Sequence, residues 1–273
     1  MGSELLEKML PAIERIPWPN NSAMSELGLR SYEIALDEVD GFRGDPAVYR
    51  SALMTLQKSD CQPLAFAGVA YVVLHAAAEK DGSYVEEGLE ECMAWLEKAQ
   101  AIAPDLVEIN FIEALVYVYG REHENARLVL DYLQENSEPY YRVMAAEVSY
   151  AHAVGDLEAL EHWVEQASVH AANVPQRLRL LSKIADAYTA AGQTEKAIEQ
   201  FRKAIHFDKA NAELWHKLAV IYWRQENFEE AQRCNQQVLR LEPQMPAAQK
   251  MAQALKQKLD QGGGVLGKLF GRG

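Results

Sequence analysis

The chain has 273 residues, 49% of them hydrophobic, and a formal net charge of −13 at pH 7. Residues 1–139 hold 25 acidic and 10 basic side chains, a net charge of −15, whereas residues 140–273 hold 15 and 17, a net charge of +2. The acidic first half argues against a nucleic-acid partner, because phosphates require a basic surface. It is compatible either with a solvated surface that favours solubility or with a surface that steers a basic partner.

Two features of the sequence bear on location. The longest apolar run, residues 65–78, falls short of the roughly 18 residues of a membrane-spanning helix, so it predicts a buried helix. The acidic N-terminus lacks the layout of a signal peptide, so we expect a cytoplasmic protein. The chain has three cysteines, Cys61, Cys92 and Cys234. This odd number and wide spacing indicate neither a disulfide framework nor a metal site.

Residues 1–60 are predicted to form a helical N-terminal extension or cap. Apolar spacing indicates helices over residues 4–16, from a cap at Ser22 to about Val39, and from Asp45 to Lys58. No repeat signature is visible in this region.

Residues 178–245 consist of two similar segments with a period of 34 residues. Large and small side chains recur together, which a generic amphipathic helix would not require. The superposed pairs are Leu181 with Trp215, Ile184 with Leu218, Ala185 with Ala219, Tyr188 with Tyr222, Ala197 with Ala231, and Ala204 with Val238.

This spacing resembles the tetratricopeptide repeat (TPR), with the pattern W-x2-L-G-x2-Y…A-x3-F…P. Trp215, Leu218, Tyr222, Ala231 and Pro243 match it directly. The resemblance implies an all-α fold, a right-handed TPR-type helical-hairpin solenoid (alpha-alpha superhelix), over residues 61–245. Weaker matches give five units that start near residues 61, 107, 140, 178 and 212. The first unit has a connection about 12 residues longer than normal, containing residues 79–91, which is either a tolerated insertion or a binding element.

The C-terminal part is predicted as a capping helix over residues 246–261 and a Gly-rich linker with an apolar and basic tail over residues 262–273. The tail could dock on its own array, on another copy, on another protein or, weakly, on an anionic membrane. It could equally have no role. The apolar side chains that would dock are Val265, Leu266, Leu269 and Phe270.

The TPR resemblance further implies a concave wall formed by the first helix of each unit, which would hold a peptide or helix of a partner. The wall is apolar in the first three units and polar, with a tryptophan, in the last two. An alternative is that the apolar part closes up into an ordinary core. The predicted groove residues are Phe111, Leu115, Val118, Tyr141, Met144, Val148, Arg179, Asp186, His216 and Trp223.

The sequence contains none of the common catalytic or nucleotide-binding motifs, so we predict no catalytic residues, no cofactor and no metal. Ser182, Asp186, Glu213 and Lys217 also cannot form the basic clamp by which some TPR proteins hold an acidic C-terminus. The predicted function is a non-enzymatic scaffold or adaptor for protein–protein interaction. The alternative is a self-assembling structural protein joined through the groove or the tail.

Overall fold

The computed structural model describes residues 2–42, 45–79 and 82–270, with only the backbone described for residues 260–270. Over these residues the chain forms fourteen α-helices and no strand beyond one isolated β-bridge. The helices are α1 Gly2–Ile13, α2 Glu26–Asp40, α3 Ala47–Gln57, α4 Gln62–Ala76, α5 Glu86–Gln100, α6 Val107–Tyr119, α7 His123–Asn136, α8 Tyr141–Val154, α9 Leu157–His170, α10 Val174–Ala190, α11 Thr194–Phe207, α12 Ala212–Arg224, α13 Phe228–Leu241 and α14 Pro246–Phe270.

The chain divides into two compact units, Met1–Leu180 and Leu181–Gly273, here called the N-terminal and C-terminal units. In the N-terminal unit α4 packs on α5, α6 on α7, and α8 on α9, so three hairpins follow one another. In the C-terminal unit α12 packs on α11 and α13, and α14 packs on α13. Among the described residues, no helix is long and apolar enough to cross a membrane.

Local sequence signals explain where several helices begin and end. Gly155 ends α8 with a φ of 75°, which glycine adopts without strain, and Asp156 then caps α9 by accepting a hydrogen bond from the Ala159 amide at 3.0 Å. The expected cap at Ser22 is wrong. Ser25 caps α2, because its hydroxyl both accepts from the Gly28 amide and donates to Asp60.

The three N-terminal helices pack on the first hairpin, since α1, α2 and α3 all contact α4. The apolar face of α2 is buried through Tyr32, Ala35, Leu36 and Val39. The Tyr32 hydroxyl donates to the Glu108 carbonyl of α6 at 2.6 Å, so α2 reaches beyond α4 to the next hairpin. Residues 26–40 are therefore an integral part of the core.

This packing buries most of the apolar wall expected from the sequence. Phe111, Leu115, Val118, Tyr141 and Val148 are between 0% and 6% exposed, and Met144 is partly buried. These residues do not line an open groove in this structure. They correspond to the packed-core alternative, because α2 and its neighbours supply the cover that an apolar wall requires in water.

The last helix differs from the expected division into a capping helix and a linker. α14 runs from Pro246 to Phe270 and includes Gly262–Gly264, so its backbone does not break at these glycines. Each glycine costs about 1 kcal/mol relative to alanine in a helix. The side chains of Val265, Leu266, Leu269 and Phe270 lie outside the described residues, and their docking stays a prediction.

Replacing the buried wall residues by aspartate tests the packed core. Leu115→Asp and Val148→Asp should each lower the free energy of unfolding by about 3–5 kcal/mol, because an unpaired carboxylate would enter a closed apolar site. Leu128→Asp is the matched control, since Leu128 is 69% exposed on α7, and it should change stability by less than about 0.5 kcal/mol. Denaturant titration followed by circular dichroism measures all three. Unchanged stability in both wall variants would show that the wall is open in solution.

Candidate protein-binding surfaces

A buried charged cluster fixes α2 in the N-terminal unit. Glu33, Asp37 and Asp40 are spaced so that they share one face of α2. All three accept hydrogen bonds from Arg142 of α8, at 3.0 Å from Nε to Glu33, 2.8 Å from Nη2 to Asp37 and 2.9 Å from Nη1 to Asp40. The Arg142 side chain is 2% exposed, so these bonds replace its contact with water. The guanidinium thus ties one helix to three positions along another.

The start of α10 adds a second set of contacts to the same carboxylates. Arg179 donates to Asp40 and, at 2.8 Å, to the Tyr71 hydroxyl, which itself donates to Asp40 at 2.6 Å. Gln176 and Asn173 donate their side-chain amides to the two oxygens of Asp37 at 3.0 and 2.7 Å. The predicted groove residue Arg179 therefore binds a helix of its own chain.

Asp40 and Arg142, the most deeply buried pair of the cluster, remain charged at neutral pH. Burial raises the pKa of Asp40, but Arg179 and Arg142 outweigh burial and lower it to about 2. Burial likewise lowers the pKa of Arg142, but the neighbouring charges, foremost that of Asp40, outweigh it and raise the pKa well above its usual range. Removing one partner of such a buried set is strongly destabilising, because the other charges stay desolvated.

Little room remains for another ligand at this part of the wall. A cavity of about 10 Å³ lies beside Asp40, Phe111 and Leu115, which is no more than a single water molecule occupies. The Tyr141 hydroxyl, on the same wall, donates to the Gln176 carbonyl at 3.2 Å. The Asp40 end of α2 thus lies against the part of the predicted groove that Phe111, Leu115 and Tyr141 form.

The wall of the C-terminal unit is different, since its residues are only partly buried. Lys217 Nζ of α12 lies 2.7 Å from Asp186 Oδ2 of α10, and the two side chains are 31% and 40% exposed. Trp223 packs edge-on against Phe228, with ring centroids 5.2 Å apart. His216 directly precedes Lys217 on α12, and burial lowers its pKa, which favours the neutral ring. The wall therefore presents an exchangeable ion pair beside an aromatic surface.

Of the residues in the charged cluster, only Arg179 was predicted from the sequence as a site residue. Glu33, Asp37 and Asp40 had a usable signal, because three acids on one helix face require either solvent or cationic partners. No sequence signal marked Arg142 as a site residue, because its partners Glu33 and Asp40 lie more than 100 positions away. Within the described part of the chain, no group of three or more His, Cys, Asp and Glu side chains is arranged to hold a metal ion.

Two family models match the C-terminal unit. One, described as TPR repeat, covers residues 185–226, and the other, tetratricopeptide repeat, covers residues 212–245. Residues 185–245 of the chain thus match tetratricopeptide repeats. The search of curated proteins gave no match.

Solved structures with a similar fold align over most of the chain. The crystal structure of the APC/C hetero-tetramer Cut9–Hcn1 aligns with a TM-score of 0.58 and 10% identity, over 93% of this chain and 46% of that chain. The Pseudomonas aeruginosa pilF structure gives 0.57 and 14%, over 77% and 93%. The STAND protein with a tetratricopeptide repeat sensor, PH0952 from Pyrococcus horikoshii, gives 0.57 and 18%, over 85% and 35%. At these identities the likeness shows the fold alone, an all-α helical-repeat solenoid, and this chain spans less than half the length of the first of them.

The Asp40 carboxylate gives the charged cluster a distinct pH dependence. Because its folded pKa is lowered to about 2 from an ordinary 3.8, Asp40 contributes stability above about pH 4 and loses it as the pH falls towards 2. Asp40→Asn should therefore lower the free energy of unfolding at pH 7, by on the order of 2 kcal/mol, and should flatten the loss of stability between pH 4 and 2. Urea titrations over this pH range measure both effects. Asp105→Asn, at an exposed position, is the control, and an Asp40→Asn profile parallel to that of the wild type would contradict the role of the cluster.

Proposed function

We propose that the chain is a non-enzymatic scaffold or adaptor that binds a peptide or helix of a partner protein on the wall of its C-terminal unit. TPR folds generally serve as scaffolds for protein–protein interaction, and the proposal places that role in particular residues. The observation that carries it is the contrast between the two walls. The apolar wall residues of the N-terminal unit are buried, except Met144, which is partly buried, whereas Asp186, His216, Lys217 and Trp223 remain partly exposed.

The partly exposed wall of the C-terminal unit suits a peptide that carries both apolar and charged side chains. Trp223 offers an aromatic surface of the kind that anchors interfaces, with Val220 one turn earlier on α12. The Asp186–Lys217 pair can exchange partners at little cost, because half-exposed ion pairs contribute only about 0–1 kcal/mol. A partner with an apolar side chain flanked by charged ones would satisfy both elements.

The N-terminal unit already contains a helix that binds to repeat helices of the same chain, which supports the proposal. Its first helices α4, α6 and α8 receive α2 through an apolar face and a row of carboxylates. This arrangement is the helix-in-groove mode of recognition, realised within one chain. The corresponding helices of the C-terminal unit, α10 and α12, carry the polar wall.

Wall substitutions in the C-terminal unit test the proposal. Val220→Glu combined with Trp223→Ala should remove the proteins that the full chain captures from cell extract, because both apolar contacts of the wall are lost. The matched control is Glu199→Ala with Lys203→Ala, an exposed pair on α11, which should leave the captured set unchanged. Quantitative mass spectrometry compares the three samples, with circular dichroism as the check of folding. An identical set of captured proteins from all three would place the binding surface elsewhere.

Light scattering over a range of protein concentrations separates the adaptor from a self-assembling protein. The adaptor should keep a constant mass in the absence of its partner. A mass that rises with concentration, and that returns to the monomer value in the wall variant, would favour the self-assembling alternative instead.

A further inference from the structure

A second surface of the N-terminal unit has the form of a binding groove. Its volume is about 700 Å³, within the usual range of ligand sites, and it lies between residues 82–86 and the facing sides of α5 and α6. None of its lining belongs to the wall that α2 fills. The proposed adaptor function does not use it.

The insertion that distinguishes the first repeat forms one side of this groove and is held in place. The Glu79 amide donates to the Ser83 carbonyl at 2.8 Å, and the Val85 amide donates to the Ala77 carbonyl at 3.0 Å. Gly88 lets α5 pack closely against Ala77, because a Cβ at position 88 would lie only 2.4 Å from the Ala77 Cβ. Residues 83–88 are therefore joined to the end of α4 by backbone hydrogen bonds and close packing.

The floor of the groove is aromatic and apolar. The rings of Tyr84 and Tyr119 stack with centroids 4.2 Å apart and an angle of 7° between planes. Arg179 donates to the Tyr119 hydroxyl at 3.4 Å from the far side, which links the floor to the buried cluster. Leu89 and Met93, both partly exposed, continue the floor along α5.

The rim of the groove carries an excess of negative charge. Its lining contains Glu86, Glu90, Glu97 and Glu122 but a single base, Arg121. The first three are exposed, and none of them makes an ion pair with a residue that the structure describes. An apolar floor below carboxylates that lack a counter-charge complements a cationic ligand with apolar parts.

We propose that this groove is a docking site for a basic segment of a partner protein that contains both lysine or arginine and aliphatic side chains. The stem of a lysine or arginine would lie along Tyr84, Leu89 and Met93, while its charged end reaches the carboxylates. Nucleic acid does not fit, because its phosphates would face the same carboxylates. The groove would thus give the adaptor a second, independent contact with a protein partner.

A pair of synthetic peptides tests the charge preference of the groove on the full chain. The probe is a fluorescein-labelled decapeptide built from glycine, leucine and lysine, and its counterpart has glutamate in place of every lysine. Fluorescence anisotropy at low salt should show at least tenfold tighter binding of the lysine peptide. Absence of binding by the lysine peptide, or equal binding of both, overturns the proposal.

Matched variants then test whether binding occurs in the groove. Glu90→Gln with Glu97→Gln should weaken binding of the lysine peptide at least fivefold, and Met93→Ala should weaken it about threefold. Glu124→Gln with Glu135→Gln changes the net charge equally at exposed positions of α7 and should alter binding less than twofold. If the α7 variant weakens binding as much as the groove variant, the attraction belongs to the acidic surface in general and the groove site is excluded. The C-terminal wall variant, Val220→Glu with Trp223→Ala, should bind the peptide normally, so this test fails or succeeds separately from that of the adaptor function.

Discussion

The contact between Arg142 and the three carboxylates of α2 is the constraint on which the N-terminal unit depends. Burial of Tyr32, Leu36 and Val39 supplies the driving force that brings α2 onto α4, since apolar burial is the main favourable term in folding. Apolar contact alone would allow α2 to pack on α4 in several positions. The Arg142 cluster selects one of them, because a shift of α2 by one turn would leave buried charges without partners.

The two units treat the same side of the repeat in opposite ways, and the difference begins with residue type. Phe111 and Val148 on the first helices of the N-terminal unit are apolar, and both are buried inside that unit. Asp186 and Lys217 at the equivalent faces of the C-terminal unit are soluble without cover and pair with each other. The repeat helices of the N-terminal unit thus bind α2 of their own chain, whereas those of the C-terminal unit keep a partly exposed wall.

The sequence predicted the parts of this structure that depend on near neighbours. The 34-residue period identified the helical hairpins of residues 178–245, because packing periods are local properties. The filling of the wall by α2 was not predicted, since it joins residues such as Asp40 and Arg142 across 102 positions. Apolar periodicity shows that Phe111 or Leu115 faces something apolar, but it cannot show whether that surface comes from the same chain. The groove beside Tyr84 was visible only as an insertion, because its floor requires the stacking of Tyr84 on Tyr119, which the sequence separates by a helix.

The order of synthesis gives the buried cluster a further consequence. The carboxylates of α2 leave the ribosome early, whereas Arg142 and Arg179 follow 102 and 139 residues after Asp40. Contacts of such long range form late and slow the folding of a domain. During translation α2 must therefore remain without its guanidinium partners while α4 to α7 are already made, and its acidic residues keep it hydrated in that interval. The apolar residues that α2 contacts in the finished unit stay uncovered until it docks, and exposed apolar surface of this kind is prone to aggregation.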